Sequence, residues 1–166
     1  TDDNPPLGPD GLVEIPAWRH ALINYPHPLL KRGLVVIDTP GLNAIGAEPE
    51  LTLGLLPTAH ATVFVLAADT GVTKSDLAIW REHLASNGLE RYVVLNKIDA
   101  LYDPLATADE IERQIQSQRE KVALTLELPP ERVFALSARD GLAARVAGSA
   151  GGLERSHLGE LEEALS

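Results

Sequence analysis

Three short polar runs, each directly behind an apolar run, carry the residue types that chemistry needs. Asp38-Thr39-Pro40-Gly41 follows Leu34 to Ile37. A carboxylate at the end of a buried strand can hold a magnesium-bound water, and a glycine amide can come close to a phosphate. Asp-x-x-Gly arises by chance about once in two chains of this length, so its weight comes from its position; on its own it reads equally well as a strand-ending turn. Asn96-Lys97-Ile98-Asp99 follows Tyr92 to Leu95, and that pattern occurs by chance in about one such chain in fifty. The Asp99 carboxylate can accept two parallel hydrogen bonds from the ring N–H and exocyclic amine of guanine, which adenine cannot supply in that geometry. Beside it the Lys97 stem can lie along the base, and Asn96 can tie neighbouring loops together. The competing reading is a solvated polar turn. Ser137-Ala138-Arg139 follows Val133 to Leu136 and is weak alone, but as the third in the series it adds Ser137 and an Ala138 amide that can donate to a guanine carbonyl oxygen.

These loops need a scaffold that brings strand ends together. Leu34 to Ile37, Ala61 to Ala68, Tyr92 to Leu95 and Val133 to Leu136 are short continuous apolar runs, the pattern of strands covered on both faces of a mostly parallel sheet. Between them Thr73 with Asp76, and Thr107 with Glu110, have the spacing of capping boxes. The first opens a helix with Leu77, Trp80 and Leu84 on one face, and the second a helix carrying Ile111, Ile115 and Val122. Alternating strands and helices specify an α/β doubly wound fold, whose ligands gather at the carboxyl ends of the strands. Residues 1 to 12 read as loop, one edge strand fits between Leu12 and Ile23, residues 147 to 152 read as a small-residue loop, and Leu158, Leu161 and Leu165 mark a last helix.

Composition narrows the function classes. The chain has 166 residues, 45% of them hydrophobic, and a net charge of −10. That is one domain, with a charge that repels nucleic-acid phosphates and anionic lipid. No apolar run is long enough to span a bilayer. There is no cysteine for a disulfide or a thiolate site, and the five histidines show no metal-ligand spacing and read as surface or capping residues. A chain that starts at Thr1 and has no Met reads as a piece of a longer polypeptide.

From His27 to His83 the chain resembles the GTPase domain of bacterial dynamin-like proteins, and DTPG, NKID and SAR match that family's motifs in order. The resemblance implies a three-layer P-loop GTPase-like fold over residues 1–152, with residues 153–166 leading into a following stalk. It implies GTP or GDP and Mg2+ as ligands, with Asp38 contacting magnesium through water, Gly41 sensing the γ-phosphate, and Asn96, Lys97 and Asp99 reading guanine. Leu42 occupies the position where many small GTPases carry a catalytic glutamine. The family's function implies a membrane-remodelling enzyme, self-associating through its GTPase domains and touching membrane through regions outside this chain. No nucleic-acid partner is expected, and the location is cytoplasmic or peripheral at a membrane. The other readings are a non-catalytic pseudo-GTPase serving as an interaction module, and a GTPase of another family such as one acting in ribosome assembly.

The chain departs from the family in having no G-x-x-x-x-G-K-[ST] loop to cradle phosphates. Thr73-Lys74-Ser75 fails on spacing, because Ala68 stands where a glycine is needed. Without the strand that feeds that loop, the sheet is expected to be incomplete between the runs ending at Asp38 and Ala68. Each buried backbone group left without a partner costs about 1–3 kcal/mol, which predicts weak stability or a rearranged sheet.

Overall fold

The computed structural model describes residues 21–39, 53–85 and 88–166. The chain divides into two units, Thr1–Val35 and Val36–Ser166. In the first, α1 (Pro28–Lys31) is a single turn; a proline at its start needs no hydrogen-bond partner for its nitrogen, and the His27 imidazole accepts the Leu29 N–H at 3.3 Å. Of the edge strand expected between Leu12 and Ile23, residues 12–20 lie outside the described residues.

The second unit is built on three parallel strands, β1 (Ala61–Ala67), β2 (Glu90–Asn96) and β3 (Val133–Ala135), in the spatial order β1-β2-β3. Because the order runs in one direction, both crossovers fall on the same face. The first is α2 (Lys74–Ile79), continued by a π-helical turn from Trp80 to Leu84; the second is α3 (Ala108–Leu126). Both capping boxes form as the sequence spacing requires, with each threonine hydroxyl accepting the N–H three residues on and each carboxylate returning to the threonine N–H. Alternate side chains of the strands divide the core. Phe64, Leu66, Val93, Leu95, Val133 and Ala135 meet Trp80, Leu84, Ile115, Val122 and Leu126 on one face. On the other, Val94, Phe134 and Leu136 form a smaller cluster beneath Leu158 and Leu161.

That second face is covered by α4 (Ala138–Ala147), α5 (Ala150–Arg155) and α6 (Leu158–Ala164), which make the third layer. The cover is partial. Leu158 and Leu161 reach β2 and β3, while Val65 of β1 is 59% exposed, so the expectation of cover on both faces fails for Ala61 to Ala68. The fourth apolar run fails as a strand altogether. Leu34 to Ile37 has no regular structure, and Val35, Val36 and Ile37 are exposed. Branched apolar residues hold a strand only beside a ladder partner, and among the described residues β1 pairs with β2 alone.

The small-residue loop expected at 147–152 is shorter than its composition suggests. Gly148 closes α4 in the left-handed region (φ 66°), and the Ser149 hydroxyl accepts the Gly152 N–H, so the helix resumes at Ala150. A Cβ at Gly152 would stand 3.0 Å from that of Ala144, and the missing side chain is what lets the two helices approach. The boundary drawn at residue 152 therefore falls inside α5.

Candidate functional site

Register decides which loops meet. Ala67 of β1 lies opposite Asn96 of β2, and Leu95 lies opposite Ala135 of β3, so the residues that follow each strand emerge side by side. The backbone is stitched beyond the ladders by Ala68 N–H donating to Asn96 C=O at 2.7 Å, and by Leu136 N–H and Ile98 N–H crossing between β2 and β3. The residues from Asn96 to Asp99 thus sit between two fixed neighbours.

Lys97 turns the chain here in the left-handed region (φ 67°, ψ 35°), a conformation that side chains other than glycine adopt only when the surroundings impose it. Two features impose it. The Asn96 Oδ1 accepts the Lys97 N–H at 2.8 Å and the Ala138 N–H at 3.0 Å, which closes the turn and joins it to the start of α4. Ile98, next in line, is buried and opens a short 3₁₀ turn that ends at Leu101. The Ala138 amide, assigned to a guanine carbonyl oxygen on sequence grounds, therefore donates to Asn96 in this structure.

Asp99 is held from both sides. Its Oδ1 accepts the Ser137 hydroxyl at 2.7 Å, and its Oδ2 meets the Arg139 guanidinium at 3.0 Å. The Asp99 side chain remains 15% exposed. A carboxylate has about four lone-pair sites, which leaves each oxygen a further acceptor position. Ser137, by contrast, is buried. Its hydroxyl also accepts the Asp140 N–H as the cap of α4, its own N–H donates to the Ser156 C=O at 2.9 Å, and its C=O accepts the Gly141 N–H.

Asp38 is exposed in the irregular stretch before Thr39, and Gly41 falls outside the described residues, as do Leu42 and the segment from Ala44 to Ala47. Among the described residues no group of three His, Cys, Asp or Glu could hold a metal. A magnesium ion bound with a nucleotide takes most of its ligands from water and phosphate, so a single exposed carboxylate is a donor of the right kind for it. Thr73-Lys74-Ser75 is a helix start whose threonine hydroxyl is committed to the Asp76 cap. Sequence reasoning missed Ser156 and the Arg139 contact; Ser156 carries no signal, because its part is played by a backbone carbonyl.

The geometry can be set beside known proteins. The chain is 30% identical over 139 residues to the bacterial dynamin-like protein of Nostoc punctiforme, a match covering 76% of this chain and 20% of that protein. It thus spans about a fifth of the length of that relative. The fold resembles the LeoA bacterial dynamin GTPase from ETEC, with a TM-score of 0.54 at 19% identity over 70% of this chain and 23% of that one. It also resembles Era, solved with MgGDPNP and nucleotides of 16S ribosomal RNA, with a TM-score of 0.50 at 21% identity over 77% of this chain and 37% of that one. Both place the unit among P-loop GTPase folds with a parallel sheet. The sequence profile of the dynamin family matches residues 14–98, from the first unit through to the Asn96-Lys97-Ile98 turn. With half of its length under that profile, the chain belongs to the dynamin family.

Proposed function

We propose that the chain is the base-reading part of a GTPase domain, binding GTP and GDP through Lys97 and Asp99, with Ser137 and Asn96 holding them in place and the Ala138 amide donating to Asn96. The observation that carries this reading is Asp99, whose side chain is 15% exposed while its two oxygens are held by Ser137 and Arg139. The remaining lone pairs suit the ring N–H and exocyclic amine of guanine, and the exposed Lys97 stem suits the face of the base. Asn96 holds the two loops at a fixed separation.

In the parent protein, hydrolysis is in-line attack of water on the γ-phosphate, helped by positioning and charge neutralisation. Magnesium would supply charge neutralisation at the phosphates when bound; Asp38 would hold it through water, and Gly41 would approach the γ-phosphate. The phosphate cradle is not encoded in these 166 residues, so the isolated chain reads the base without efficient turnover. Family membership supports membrane remodelling, GTPase-domain self-association and a bacterial cytoplasmic or membrane-peripheral setting for the parent. The likeness to Era extends to the shared fold.

The test is a titration of the full-length polypeptide with fluorescent GDP and ADP, alongside Asp99→Asn with xanthosine diphosphate. The expected result is guanine selectivity, with Asp99→Asn weakening GDP binding about 100-fold and gaining xanthine. Equal affinity for GDP and ADP in a folded protein would overturn the reading.

A further inference from the structure

The turn between α5 and α6 is tied more tightly to the base-reading loop than packing of a terminal helix requires. Ser156 is 1% exposed, and its hydroxyl donates to Leu153 C=O at 2.6 Å while accepting Leu158 N–H at 3.3 Å. Those two bonds close the turn around His157, which is left-handed (φ 58°), and so fix where the Ser156 carbonyl points. It points at Ser137, whose N–H it accepts at 2.9 Å. Ser137 has one hydroxyl proton, which goes to Asp99 Oδ1, while its lone pair receives Asp140 N–H. Ser137 thus carries the donor that holds Asp99 Oδ1, beside the Arg139 contact on Oδ2.

A second contact couples the same parts. A Cβ at Gly141 would stand 2.9 Å from Leu158 Cδ2 and 3.1 Å from the Ser156 hydroxyl oxygen, so α4 rides directly on this turn. Leu158 and Leu161 anchor the turn from below, on Val94, Phe134 and Leu136. The turn is thus held by the core on one side and grips the loop of the base site on the other.

We propose that Ser156 is a positioning residue for base recognition: through Ser137 it sets the angle of the Asp99 carboxylate, and hence the discrimination of guanine by its exocyclic amine. This rests on the reading of Asp99 as the guanine acceptor. Two parallel hydrogen bonds need both carboxylate oxygens in the plane of the base, and a tilted carboxylate keeps one of them. Inosine diphosphate lacks the exocyclic amine, so the preference for GDP over IDP measures the angle.

The experiment titrates fluorescent GDP and IDP against the full-length polypeptide and its Ser156→Ala, Gly141→Ala, Ser137→Ala and Ser137→Ala/Ser156→Ala variants, with circular dichroism melts to verify folding. Ser156→Ala is expected to cut the GDP preference about three- to tenfold while IDP binding stays nearly constant. Gly141→Ala, which keeps the hydroxyl and wedges the turn from α4, is expected to move the ratio the same way and decides the matter if Ser156→Ala does not fold. In the Ser137→Ala background the Ser156 effect should vanish, since residues acting through one path are not additive. Parallel weakening of GDP and IDP, an unchanged ratio in folded variants, or additivity in the double variant would overturn the positioning role. If Asp99→Asn gains xanthine while Ser156→Ala leaves the ratio unchanged, the positioning role alone fails. If Asp99→Asn gains nothing, the base-site reading fails with it.

Discussion

The Ser137 hydroxyl donates to Asp99 Oδ1 at 2.7 Å, joining two loops that lie 38 positions apart in sequence. The same oxygen caps α4 by accepting the Asp140 N–H. Ser137→Ala therefore removes a cap and a charge-assisted hydrogen bond together. It is expected to lower stability by about 1–2 kcal/mol and GDP affinity about tenfold, read from urea denaturation and fluorescent GDP titration.

The Thr62 hydroxyl of β1 is buried without a hydrogen-bond partner among the described residues. A buried polar atom in that condition carries its desolvation cost uncompensated. Thr62→Val keeps the shape and the strand preference, so it is expected to stabilise the protein by about 1 kcal/mol. A urea midpoint that moves down, with the slope of the transition unchanged, would contradict this.

Trp80 links the end of α3 to the sheet. Its indole N–H donates to Leu126 C=O at 3.1 Å, one of the carbonyls that a helix end leaves unpaired, and its ring lies 5.7 Å from that of Phe64. Trp80→Phe leaves a cavity and an orphaned carbonyl, and is expected to cost about 2–3 kcal/mol. Thermal unfolding measures the loss. Because the hydrogen bond and ring contacts of Trp80 go to Leu126, Phe64 and Arg91, the ratio of GDP to ADP affinity should stay as in the wild type.

Glu110 contributes a pH dependence of known sign. The Thr107 backbone N–H, and then the Thr107 hydroxyl, hold its carboxyl below the ordinary glutamate range. A lowered carboxylate stabilises the folded state above the ordinary value, and that contribution fades as pH falls through the lowered one. Glu110→Gln should therefore unfold at a lower temperature than wild type at about pH 6, with the gap closing toward about pH 3.

Both helical crossovers were legible from local patterns, because a capping box and a repeating apolar face are short-range signals that Thr73, Asp76, Thr107 and Glu110 carry by themselves. The three observed strands were equally legible from their apolar runs. Leu34 to Ile37 carries the same signal and forms no strand, since a run of branched residues says nothing about whether a partner lies alongside. The loops of the proposed base site carry a sequence signal in Asn96, Lys97 and Asp99. Their internal bonding carries none. Whether the Ala138 amide faces a ligand or Asn96 depends on a crossing of loops some forty residues apart, and the grip of Ser156 runs through a carbonyl common to every residue.

The one-sided pairing of β1 has a consequence on the time axis. Backbone amides of β2 are bonded to strands on both flanks, while among the described residues β1 has a neighbour on one. Amide hydrogens of β2 should therefore exchange with solvent only when the whole unit opens, and those of β1 through smaller, more frequent openings. The Asn96 loop leaves from that doubly paired strand, and the Ser137 loop from β3, whose ladder runs to β2. A fluctuation that peels β1 away leaves them assembled, so the proposed base site should outlast local unfolding on the side of the sheet that β1 borders.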